Sequence, residues 1–100
     1  MVRVGLLLRL EAKPGKEAAV AEFLTSAMPH IQAEHGTTAW FGIQLGATTF
    51  GIFDAFPDEE GRQAHMTGEV AAQLRAKWAD LLAAPPTIEK VDILAAKLPQ

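Results

Sequence analysis

The sequence predicts an α+β fold with element order β-α-β-β-α-β, a four-stranded antiparallel sheet carrying two helices on one face. This is the ferredoxin-like arrangement. Three observations predict it. Strand-like runs stand at residues 2–11, 37–45, 48–56 and 88–98. Two stretches of helical spacing, 17–34 and 58–84, separate the outer runs from the middle pair. The middle pair is joined by Gly46-Ala47 alone, which argues for an antiparallel hairpin.

The first strand places Val2, Val4, Leu6, Leu8 and Leu10 on one face and Arg3, Gly5, Leu7, Arg9 and Glu11 on the other. Gly5 removes a side chain in mid-strand, a sign that something approaches closely. Lys13-Pro14-Gly15-Lys16 is a turn. The first helix follows with a stripe of Val20, Leu24, Ala27 and Ile31; Pro29 should bend it and Gly36 should end it. In the hairpin, Trp40, Gly42 and Gln44 oppose Phe41, Ile43 and Leu45. Phe50, Ile52, Asp54 and Phe56 oppose Gly51, Phe53 and Ala55. Pro57 and the acidic Asp58-Glu59-Glu60 suit a helix start, where carboxylates meet unpaired N–H groups. The helical region should break near Thr67-Gly68, continue on a stripe of Val70, Leu74, Trp78 and Leu81, and stop at Pro85-Pro86. The last run closes the sheet.

One hundred residues make a single domain, 1–100. The chain carries 9 basic and 12 acidic residues with no basic run, so nucleic acid is not an expected partner. Without cysteine there is no disulfide framework, thiolate nucleophile or cysteine metal site. The apolar run at the N-terminus is too short to span a membrane and has no signal-peptide cleavage pattern; a cytoplasmic protein without a membrane partner is expected. The mean hydropathy of +0.10 is high for so small a domain. Both sheet faces are apolar where one would meet water, so a second copy is expected to cover the outer face, giving a homodimer.

Three segments carry a family resemblance: FGIFDAFPDEEGRQAHMTGEVAAQL, the following WADLLAAPPTIEKVDILAAK, and the opening strand with its KPGKE turn. With these the chain resembles the antibiotic biosynthesis monooxygenase domain of the dimeric α/β-barrel superfamily, over nearly its whole length. The resemblance implies two ferredoxin-like monomers paired sheet to sheet, each with a pocket between helices and sheet. It implies oxidation of a quinol or phenolic ring by O₂ without metal or flavin, hence no cofactor. It also implies a histidine at the position of His65. Some relatives hold a phenolic substrate with Asn, Trp and Tyr; this chain has neither Asn nor Tyr. Haem-degrading relatives place an axial histidine on the second helix, where this chain offers Arg75, so a haem role is disfavoured.

A cofactor-free oxygenase needs a base near neutral pH inside a dry apolar cavity. His65 is the candidate catalytic base, set against a histidine that merely packs the Thr67-Gly68 break. Trp40, Phe50, Phe53 and Trp78 are candidates for the wall of a small aromatic substrate's site, set against ordinary core. His35 is a further candidate for the pocket; it and His30 otherwise read as charge partners of a helix C-terminus. No metal site is expected, since the histidines form no ligand spacing. Asp54, charged on a strand that should be buried, needs a partner; Arg3 or Arg9 is expected, as a structural ion pair at the dimer seam. The rival to the monooxygenase is a non-catalytic, ligand-binding or stress-associated homodimer of the same fold.

Overall fold

Alternation makes β1 (Val4–Glu11), where Leu6, Leu8 and Leu10 are buried while Leu7, Arg9 and Glu11 are exposed. In the computed structural model, which describes residues 1–99, the elements that follow are α1 (Glu17–Ser26), α2 (Met28–Gln32), β2 (Ala39–Gln44), β3 (Thr49–Phe56), α3 (Glu59–Met66), α4 (Glu69–Leu81) and β4 (Thr87–Asp92). The sheet order is β2-β3-β1-β4, with every pair antiparallel. This is the α+β ferredoxin-like fold, with the two predicted helical regions each divided in two.

The first division replaces the single bent helix expected over 17–34. Pro29 has no N–H to offer the preceding turn, and it sits in the first turn of a new short helix, where none is needed. Gly36 does not end that helix, which stops at Gln32. Its role is contact: a Cβ on Gly61 would come within 2.6 Å of the Gly36 carbonyl oxygen, and one on Gly36 within 3.0 Å of the Gly61 Cα. The segment after α2 and the first turn of α3 therefore cross backbone on backbone. The second division falls where expected, between Met66 and Glu69, with Gly68 as the N-cap of α4.

The end of the last strand differs from expectation at the sheet edge. β4 ends at Asp92, not Leu98, because its partner β1 runs out at Val4; Leu94 beyond it is 97% exposed. Mid-strand, the approach anticipated at Gly5 is the carbonyl oxygen of Asp54, 2.6 Å from where a Cβ would sit.

The core lies between the even-numbered face of the sheet and the helices. Leu6, Leu8 and Leu10 of β1 and Phe50, Ile52 and Phe56 of β3 meet Val20, Phe23 and Leu24 of α1 and Leu74 of α4. Phe56 is wholly buried. The other face carries Leu7, Phe41, Ile43 and Leu45, all 38–52% exposed, beside half-buried Phe53. It is an apolar surface spread over three strands. Among the described residues no helix is long and apolar enough to cross a membrane.

Candidate active site

The corner between β3 and α3 brings the chemistry together. Asp58 caps α3, its Oδ1 accepting the Gly61 N–H at 2.8 Å, and Glu59 and Glu60 fill the positive first turn. The capped helix then carries His65 in its last turn and lays it over the sheet. There the imidazole stands on Asp54, two residues before the end of β3. Nε2 of His65 is 3.1 Å from Oδ2 of Asp54, an ion-pair contact that leaves neither carboxylate oxygen with an aligned hydrogen bond. On the other side, Nδ1 is 2.6 Å from Oε1 of Glu34, in the segment after α2. The Thr37 hydroxyl donates to that same oxygen at 2.8 Å. The Phe56 ring lies against the imidazole, centroids 5.4 Å apart.

The histidine is thus held between two carboxylates. The Asp54 side chain is 0% exposed and that of His65 is 9%. Burial pushes the imidazolium down, but the contacts with Asp54 and Glu34 outweigh it. The net displacement is upward from the ordinary histidine value. With both carboxylates ionised, only the doubly protonated ring can donate to both.

Beside this chain lies a cavity of about 70 Å³ between the sheet and α3 and α4, its wall including Leu8, Trp40, Ile52, Asp54, Met66 and Leu74. His65 also borders it, and Ile88 and Arg75 stand at its rim. The wall is largely apolar, and two of its residues carry buried polar atoms without a hydrogen bond: Trp40 Nε1, a donor, and the carboxylate oxygens of Asp54, acceptors, of which Oδ1 also lacks the His65 contact. Trp40 and Asp54 are paired across β2 and β3, so both rise side by side from the floor. An unpartnered buried donor and acceptor together are costly, and a ligand that fits both recovers that cost.

The sequence-derived candidates separate in space. His65 and Trp40 meet at this cavity. Phe50 belongs to the core, and Trp78 packs against that core from its edge. Phe53 has odd parity on β3 and lies on the opposite sheet face, among the exposed apolar residues. His35 lines a separate hollow behind His65. The expected partner of Asp54 is corrected: Leu6 pairs with Asp54 in register, so the odd-numbered Arg3 and Arg9 lie on the far face, and His65 takes the carboxylate. Glu34 went unread in the sequence, being 31 residues from the ring it holds.

No protein-family model matches the chain, and no curated protein does. Among solved structures, the NE2512 protein of Nitrosomonas europaea, of unknown function, is 61% identical. It matches at a TM-score of 0.98, over 100% of this chain and 97% of that one. A provisionally named antibiotic biosynthesis monooxygenase, also from Nitrosomonas europaea, matches at 0.82 with 19% identity, over 92% of this chain and 90% of that one. Another so named, from Caulobacter crescentus, matches at 0.80 with 14% identity, over 94% and 92%. At those identities the last two establish a shared fold.

Proposed function

We propose that this chain, which belongs to one family with the Nitrosomonas europaea NE2512 protein and has the fold of the antibiotic biosynthesis monooxygenases, binds a small quinol or phenol in the Asp54–Trp40 cavity and oxidises it with O₂. The observation that carries this reading is a buried donor and a buried acceptor without hydrogen bonds, on two neighbouring residues that line an apolar cavity. Asp54 Oδ1 accepts the phenolic O–H. Trp40 Nε1 donates to an oxygen of the ring. His65 acts behind Asp54 rather than as the base itself, since both its nitrogens face carboxylates.

A carboxylate is a weak base toward a resting phenol. A hydrogen bond to it still raises the electron density of the ring, and a phenol that has passed one electron to O₂ is a strong acid that a carboxylate readily deprotonates. The stoichiometry for benzene-1,4-diol is one diol and one O₂ giving hydroxybenzoquinone and water. One oxygen atom enters the ring, two hydrogens leave with the other, and O₂ takes four electrons. The interior is about half the ~150 Å³ that encloses a benzene ring. The oxygenated edge enters, with the flexible Met66 and the rim accommodating the rest.

The test is oxygen uptake with benzene-1,4-diol above its autoxidation rate, for the wild type and Asp54→Asn. Uptake by the wild type alone is expected; equal uptake by both removes Asp54 from the mechanism. The sparse polar lining favours a second reading, a ligand-binding protein without turnover. Thermal stabilisation by the diol under nitrogen, with no oxygen uptake in air, supports it.

The same proposal includes a homodimer. Phe41, Ile43, Leu45 and Leu7 form an apolar face that a second copy of the same sheet would cover. Sedimentation at micromolar concentration should give twice the 10.8 kDa of one chain; a stable monomer contradicts it.

A further inference from the structure

Glu34 has two sides. Its inner oxygen holds His65 and the Thr37 hydroxyl, and the side chain is 18% exposed. Its outer side borders a hollow of about 280 Å³, whose lining includes His30, His35, Gly61 and Glu69. His65 is the residue this hollow shares with the apolar cavity. The imidazole therefore stands as a partition, with Asp54 facing the cavity and Glu34 facing the hollow. The Gly36–Gly61 crossing holds the segment after α2 against the first turn of α3, because neither residue leaves room for a side chain.

We propose that Glu34 is a positioning residue acting through His65: its carboxylate keeps the ring a cation turned toward Asp54, and the hollow behind it gives that buried pair a proton exit while the cavity is filled. Without Glu34, the cation has one carboxylate in place of two. A proton can then pass from Nε2 to Asp54, leaving a neutral pair and no charged acceptor in the cavity. With Glu34 the cation is attracted from both sides, and the aligned hydrogen bond is the outer one. Asp54 is sealed from water, whereas Glu34, on the Nδ1 side, borders the hollow. The titratable groups around the ring are Asp54 from β3, Glu34 from the segment after α2, His30 and His35 across the hollow, Glu69 at the start of α4, and Arg75 at the cavity rim. Of these groups, Asp54 and Glu34 are the ones within ion-pair distance of the imidazole among the described residues.

This assignment rests on the preceding reading only for what Asp54 does to a substrate, and its test needs no substrate. In Glu34→Gln the amide oxygen still accepts from Nδ1 and from Thr37, so the change is one of charge. Imidazole ¹⁵N resonances followed against pH should show wild-type His65 still doubly protonated above the ordinary histidine midpoint. Glu34→Gln should lower its midpoint by about one pH unit, a roughly tenfold loss of proton affinity. An unchanged midpoint, or a wild-type ring with one proton at neutral pH, overturns the proposal. Should Glu34→Gln not fold, Glu34→Asp retains the charge but draws it back from Nδ1, and a smaller lowering is expected; none overturns it. If the wild type takes up no oxygen with the diol while these shifts appear, the oxidation reading falls and the role of Glu34 stands.

Discussion

Asp54→Ala is expected to cost about 3–5 kcal/mol of stability, the range for removing one partner of a buried ion pair. The pair is fully enclosed on the Asp54 side, so solvent cannot replace the lost carboxylate. Urea unfolding at neutral pH measures the loss; a cost under about 1 kcal/mol, the level of an exposed pair, would mean the pair is not formed. The same variant changes the dependence on pH. The folded-state value of His65 lies above its unfolded one, so its stabilisation is fully present below the unfolded value of about 6.5 and is lost as pH rises through the folded one. Wild-type stability should therefore decline with rising pH in the window just above the ordinary histidine range. Asp54→Ala removes one of the two upward contributions, so its decline should be shallower and come at lower pH.

Arg62→Ala is expected to cost about 3 kcal/mol, from two charge-assisted hydrogen bonds of roughly 1.5–3 kcal/mol each, partly offset by relaxation. Arg62 Nη1 donates to the Gly5 carbonyl at 3.0 Å and to the Val91 carbonyl at 3.3 Å, tying α3 to β1 and β4. Its remaining nitrogens pair with Glu59, which is largely exposed and adds little. The residue therefore seats α3, and with it His65, on the sheet. Arg62→Lys should recover little, because an ammonium cannot reproduce the planar fork. Thermal unfolding of both variants checks this; wild-type stability in Arg62→Lys would reduce the residue to a point charge.

The sheet and its layering were legible because alternation and helical spacing are local. Leu6, Leu8 and Leu10 declared their common face without knowledge of anything else, and Gly46-Ala47 declared the hairpin. The site was harder, because it depends on register. Asp54 was recognisable as a buried charge in need of a partner. Whether it shares a face with Leu6 or with Arg9 follows only from how β1 and β3 are aligned, and that alignment is a tertiary fact. The same parity puts Phe53 on the outer face while Asp54 looks inward. Glu34 left no signal: its place beside His65 is set by Gly36 crossing Gly61, a contact between positions with no side chains. His65 was found as a titratable ring after a strand-to-helix corner. Its setting between two carboxylates changes the role proposed for it, from the group that meets a substrate to the cation that stands behind Asp54.

The central claim is that Asp54 Oδ1 and Trp40 Nε1 receive the oxygenated edge of a ring. Calorimetric titration with phenol under nitrogen, where no O₂ is present for turnover, tests it most directly. Binding to the wild type is expected to weaken at least about tenfold, roughly 1.4 kcal/mol, in both Asp54→Asn and Trp40→Phe. Equal affinity in all three proteins, or no binding to the wild type, would contradict it.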